Sequence, residues 1–230
     1  MSNFLDRTFT RSSKHHIVRG QFLLLWLVLL AIGCRALSIP GSLVPTATSQ
    51  PTMTPIPGWK KFEATGMEIW LPDSYVGGDL NQDMDLLVEE LRSLGPEYEP
   101  FAQQLEQNPS LYTLWAYDSD VGGTAFLSNV GIVNERVISV IDIDTYIDQF
   151  LKQMPSQIRV EERQVTTINN DDARRLIVML PLSDFSVQEA IYVVKHNNTI
   201  WVIAFACAQK DFNSRFSVFE QSAHTFSTQP

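Results

Sequence analysis

The chain has only two cysteines in 230 residues, Cys34 and Cys207, too few for a disulfide framework. Histidine is scarce as well. His196 falls in an expected turn and His224 near the end of an expected helix, and neither has a cysteine or second histidine at ligand spacing. There is no Gly-x-Ser-x-Gly elbow, no phosphate-binding loop and no dinucleotide fingerprint. These absences predict no cofactor, no metal site and no recognisable catalytic apparatus. Basic residues are few: 17 Lys and Arg stand against 26 Asp and Glu. Such a balance excludes adhesion to nucleic acid through a basic surface.

What is present begins with a basic leader, Arg7, Arg11, Lys14 and Arg19, followed by an apolar run over residues 22–33. A bilayer core needs ~20 apolar residues in a helix, whereas the apolar part of a signal peptide needs roughly 7–15. The run fits the shorter class, and extending it would bury Arg19 or Arg35, at ~2.5 kcal/mol or more. Gly33 precedes Cys34, and a Ser, Thr and Pro stretch follows. This order resembles a bacterial lipoprotein signal. The resemblance implies cleavage before Cys34, acylation of Cys34, and a place on the extracytoplasmic face of the cell membrane. The leader takes four of the 17 basic residues and one of the 26 acidic ones, so the rest carries 13 against 25, a net charge of −12.

Residues 1–33 thus read as signal peptide, 34–58 as tether and 59–230 as one globular domain. Pro40, Pro45, Pro51, Pro55 and Pro57 lie among Ser and Thr without apolar periodicity, which leaves the tether too little surface to bury. As a coil, its ~24 residues span roughly 25–30 Å on average.

Within the domain, residues 61–72 predict two strands turning at Gly66. Leu80, Met84, Leu87, Leu91 and Leu94 recur at helical spacing, with Asp79 as N-cap and Gly95-Pro96 as terminator. Tyr98, Phe101 and Leu105 suggest a further short helix. Strands are expected over 111–117 and 125–133, and a helix over 143–154 behind Asp142. A meander of four strands follows, over 158–168, 173–180, 187–195 and 200–208. Its Asn-rich turns supply the left-handed conformations of hairpins. Residues 200–208 are apolar on both faces, as in a central strand covered on both sides. Cys207 in that strand reads as a buried, inert thiol. A last helix, capped by Asp211, shows Phe212, Phe216, Phe219, Ala223 and Phe226 in one stripe. The fold class is therefore α+β, an antiparallel sheet with helices on both faces, an α/β/α sandwich.

Three segments, GMEIWLP (66–72), IDTYIDQFLKQMP (143–155) and FNSRFSVFEQSAHTFS (212–227), flank the early helix and the meander in an order that resembles the PsbP-like fold. That fold includes the extrinsic oxygen-evolving subunit of photosystem II, a Ran-binding import factor and many bacterial lipoproteins. The resemblance implies a binding or assembly module and carries over no functional residue.

Asp79, Asn81, Asp83, Asp85 and Glu90 have the spacing of a calcium loop, but Met84 stands where that loop needs glycine. A capped helix is the reading adopted. Gly77-Gly78 and Gly122-Gly123 are read as turns. The 118–123 loop, with Asp118, Asp120 and the adjoining Trp115 and Tyr117 taken as exposed, is the expected contact surface for a membrane-associated protein partner. The function expected is a lipid-anchored, non-catalytic binding or assembly module. Small-ligand binding is the alternative, and a hydrolase with a hidden site a weaker one.

Overall fold

The computed structural model describes residues 55–96, 98–108, 110–120, 126–182 and 184–229. Cys34, the signal segment and Gly122-Gly123 lie outside the described residues. None of the described helices is long and apolar enough to cross a membrane.

The architecture is α+β. Strands β3 (Tyr75–Asp79), β4 (Leu114–Asp118), β5 (Asn129–Arg136), β6 (Arg159–Ile168), β7 (Asp171–Pro181), β8 (Ser186–His196) and β9 (Thr199–Ala208) form one antiparallel sheet in the order β3-β4-β5-β9-β8-β7-β6. The strand that is apolar on both faces, β9, sits in the middle. Asn169, Asn170 and Asn197 take positive φ in the β6–β7 and β8–β9 turns, as hairpins require. A second, three-stranded sheet joins β1 (Trp59–Ala64), β2 (Met67–Pro72) and the short β10 (Ser227–Thr228).

Helices lie on both faces. Helix α4 (Gln209–Thr225) buries Phe212, Phe219 and Ala223 on the face made by Val130, Ile203, Phe205 and Tyr192, where the small sheet also packs. On the opposite face, α3 (Ile143–Gln153) sets Ile143 and Ile147 against Val178, Ile191 and Val193. The same face, at the β4 end, is covered by α1 (Leu80–Leu94) and α2 (Glu99–Gln107) over Trp115 and Tyr117.

Several expectations are corrected. Gly77-Gly78 lies in strand β3 and forms no turn. A Cβ on Gly77 would sit 2.3 Å from the Trp115 carbonyl oxygen, and one on Gly78 2.4 Å from an Asp83 carboxylate oxygen. The glycines let β3 approach β4 and α1. Asp211 does not cap the last helix; Ala208 is its N-cap, without a side-chain hydrogen bond. The strands expected over 111–117 and 125–133 begin later, at Leu114 and Asn129. The Asp79–Glu90 stretch is helical, with Asp79 accepting from the Asn81 N–H at 2.8 Å.

Candidate functional site

The expected contact surface is largely used up by the fold. Trp115 and Tyr117, expected to be exposed, are buried under α1 and α2. Trp115 packs on Phe101 with ring centroids 4.8 Å apart and on Tyr117 at 5.7 Å. Asp118 is buried too; its carboxylate accepts from Arg215 of α4 and from the Asp120 N–H at 3.0 Å. Only Asp120 of the four is exposed. The reason is local: β4 is an inner strand, so both its faces are covered, and alternation does not expose either aromatic.

A different site lies on the same face of the sheet, along the seam between α3 and the α1–α2 pair. Two rows of residues cross the central strands there. One is Asn129, Ala206 and Glu189; the next is Gly131, Ala204 and Ile191. Ala204 and Ala206 are small, and the space over Gly131 is taken by the Tyr112 ring. Ala204, midway along the central strand, stays partly exposed. Val133 packs against both the cluster under α3 and the cluster under α1–α2. The seam is thus where the two helical covers meet.

One wall is Tyr112, whose ring lies over Gly131; a Cβ there would fall 2.6 Å from Cε1 of Tyr112. Phe126 and Phe185, with ring centroids 6.3 Å apart, pack on the cluster that contains Ala206 and Val187. At the other end of the seam, Tyr146 of α3 donates to Glu135 at 3.2 Å. Burial raises the Glu135 carboxyl above its ordinary value, and the Tyr146 hydrogen bond opposes this. Asn129 and Glu135 are six residues apart on β5, which sets a seam length of ~20 Å.

Glu189 is the unusual group. It is 3 % exposed, and burial alone pushes its carboxyl up to about 7. Its Oε2 has no hydrogen-bond partner, and neither does Oδ1 of Asn129, also 3 % exposed. The Asn129 amide is held by donation from Nδ2 to the Leu127 carbonyl at 2.8 Å. Tyr112 lies close enough for the Glu189 charge to add to the upward push that burial gives its phenol. A buried acceptor left without a donor costs about 1–3 kcal/mol. The two flank Ala206 from the strands on either side of it, on one face of the sheet.

Other titratable groups are accounted for by the fold. Burial pushes the Cys207 thiol up to about 12, which makes it unreactive. His196 pairs with Asp171 at 2.9 Å, at the opposite end of β8 from Glu189. Asp144 bridges Arg163 and Arg174, whose hydrogen bonds hold its carboxyl down at about 2. No group of three or more potential metal-binding side chains occurs among the described residues.

Sequence reasoning missed Glu189, although a signal was there. Val187 and Ile191, its neighbours at two residues on either side, share its face and are apolar, which points a carboxylate inward.

No protein-family model matches the chain, and no curated protein is significantly similar to it. Among solved structures it is similar to cyanobacterial PsbP from Synechocystis sp. PCC 6803, at 11 % identity and TM-score 0.48, over 79 % of this chain and 98 % of that one. It is also similar to LpqN, a Mycobacterium tuberculosis protein involved in cell envelope biogenesis, at 10 % identity and TM-score 0.45, over 71 % and 83 % of the two chains. The PsbP-like resemblance read from the sequence has its counterpart in the first of these. At this level of likeness they bear on neither family nor function.

Proposed function

We propose that the chain is a lipid-anchored, extracytoplasmic binding module that works non-catalytically. Acyl chains on Cys34 hold it at the cell membrane, and the tether of residues 34–58 carries residues 59–230 as one domain. Its partner is a membrane-associated protein that engages the seam between α3 and α1–α2. A tether reaching roughly 25–30 Å raises the domain's effective concentration for partners in the same membrane.

The observation that carries the reading is the pair of buried, unpartnered acceptors, Glu189 Oε2 and Asn129 Oδ1, beside the partly exposed Ala204. Folded proteins pair nearly all buried polar atoms. An unpaired set in the seam suits a ligand or partner that supplies the donors. Acid–base work by Glu189 would need a second group to complete a proton cycle. The polar side chains described beside it are Asn129 and Tyr112, and His196 is committed elsewhere.

The test is photo-crosslinking in intact cells from a probe at Val133, on the seam, with Leu86 on the outer side of α1 as control. A membrane-protein adduct from position 133 that is missing from position 86 is expected. The same adducts from both positions, or turnover of a small substrate by the purified chain with no adduct, would reject the binding module.

A further inference from the structure

We infer that the outer edge of β6 pairs with the same strand of a second copy of this chain, joining two seven-stranded sheets across a two-fold axis at Val165. This surface is at the end of the sheet, away from the seam, and adds a self-contact to the binding module proposed above. Three features of β6 select a second copy.

The first is an open edge. Strand β6 ends the order of the large sheet, and no strand pairs with its outer side among the described residues. The opposite end of the sheet is protected. Strand β3 there has five residues, two of them glycine, and α1 and β1 pack against it. Strand β6 has ten residues, all exposed except Thr166 and Ile168. It holds neither proline nor lysine, residues that blunt an edge. Its bulge falls between Val160 and Glu162, so 162–168 remain regular.

The second is charge. Charged side chains commonly guard an edge strand, but those beyond the bulge are neutralised within the domain. Arg163 lies on the α3 face and pairs with Asp144 at 2.6 Å and Asp148 at 2.7 Å. Glu162 lies on the other face, where it and Gln164 accept from Arg175, which also pairs with Glu220 of α4. What remains is Gln164-Val165-Thr166-Thr167-Ile168, uncharged and mostly β-branched. Val165 shares the α3 face with Arg163, two residues away, and is 70 % exposed.

The third is that the edge is complementary to itself. Val165 is the midpoint of the regular stretch 162–168, which is ~23 Å long. Antiparallel pairing about a two-fold axis there sets Val165 of one copy against Val165 of the other. It also sets Arg163 against Thr167, Gln164 against Thr166 and Glu162 against Ile168, each twice. No like charges meet, and the two valines cover each other. An axis at Arg163 would oppose two arginines, and an axis at Thr166 would shorten the pairing. A contact of this kind closes at two copies. The tether does not fit the same edge, because its prolines leave no run of seven residues that all carry an N–H.

The experiment uses the full chain in detergent micelles, oxidised with copper phenanthroline and run on non-reducing gels, with the wild type as baseline for its own two cysteines. Val165→Cys should form a disulfide-linked dimer well above that baseline, since directly opposed strand residues lie within disulfide reach. Gln164→Cys and Thr166→Cys should each stay monomeric alone and link to each other when mixed. Val165→Lys places two ammonium groups on the axis. Sedimentation equilibrium without oxidant should show its dimer dissociation constant raised at least tenfold over wild type, with Tm unchanged because the side chain is exposed. A Val165→Cys chain that stays monomeric, a dimer from Gln164→Cys alone, or equal association of wild type and Val165→Lys overturns the inference. So does a Val165→Cys chain that in intact cells links only to a protein of different mass, which would give the edge to another partner. The crosslinking result at Val133, on β5, is independent of this outcome.

Discussion

Arg215 on the last helix donates to the carboxylate of Asp118 at the end of β4, tying α4 to the β4 end of the face it covers. The Asp118 side chain is 8 % exposed and that of Arg215 26 %, so the pair is shielded but still wet on one side.

Asp118→Asn should therefore destabilise the fold by about 2 kcal/mol, since a partly buried guanidinium loses its counter-charge. Urea denaturation of the two chains measures this. A change below about 0.5 kcal/mol would place the pair with ordinary surface ion pairs.

Phe219 is fully buried, stacked on Phe205 with centroids 5.1 Å apart and edge-on to Phe212 at 6.3 Å. Phe219→Ala should cost ~3–5 kcal/mol, read as a lower denaturation midpoint with an unchanged slope. A smaller loss would mean that the neighbouring rings close the cavity.

Glu189 gives the fold a pH dependence with a definite sign. Its carboxyl rises from an ordinary 4.5 to about 7 on folding, so between those values the native state holds a proton that the unfolded state has released. Stability from this group is complete below pH 4.5, falls as pH rises toward 7, and is flat above it. The loss is about 3 kcal/mol across that window. Glu189→Gln should lack this loss, so wild type minus variant stability should fall by about that amount from pH 4.5 to pH 8. Parallel curves for the two chains would contradict the burial of a carboxyl there.

Metabolic labelling with a fatty acid should mark the wild type and spare Cys34→Ala. Two or more acyl chains, at ~0.8 kcal/mol per buried methylene, hold a protein at a membrane where one chain does not. Equal labelling of both would remove the lipid anchor from the proposal.

The helices were legible because their stripes are strong. Leu80, Leu87 and Leu91 mark α1, and Ile143, Ile147 and Phe150 mark α3, as buried residues of one face each. The doubly apolar Thr199–Ala208 strand showed its central place, and the asparagines showed the β6–β7 and β8–β9 turns. What was not legible depends on partners distant in sequence. Gly77 reads as a turn until the Trp115 carbonyl is seen beside it. Trp115 and Tyr117 read as an exposed edge until α1 and α2 are laid over them. Strand β10 has two residues and no pattern of its own. The seam was hidden most deeply, since it depends on Gly131, Ala204 and Ala206 falling side by side across two strands.

The small sheet has a consequence for the order of assembly. Strand β10 pairs with β2, and the Trp70 N–H donates to the Thr225 hydroxyl at a sequence separation of 155 residues. Phe226 packs on Trp201, with ring centroids 5.5 Å apart. The hairpin of β1 and β2 forms locally, but its outer edge waits for Ser227 and Thr228 to be available. Closure of so long a loop is entropically costly and slow compared with the meander's local turns. Until it happens, β2 offers an open hydrogen-bonding edge to any neighbouring chain. Aggregation during refolding should therefore begin at this strand, and a chain shortened before Phe226 should clump although its seven-stranded sheet is intact.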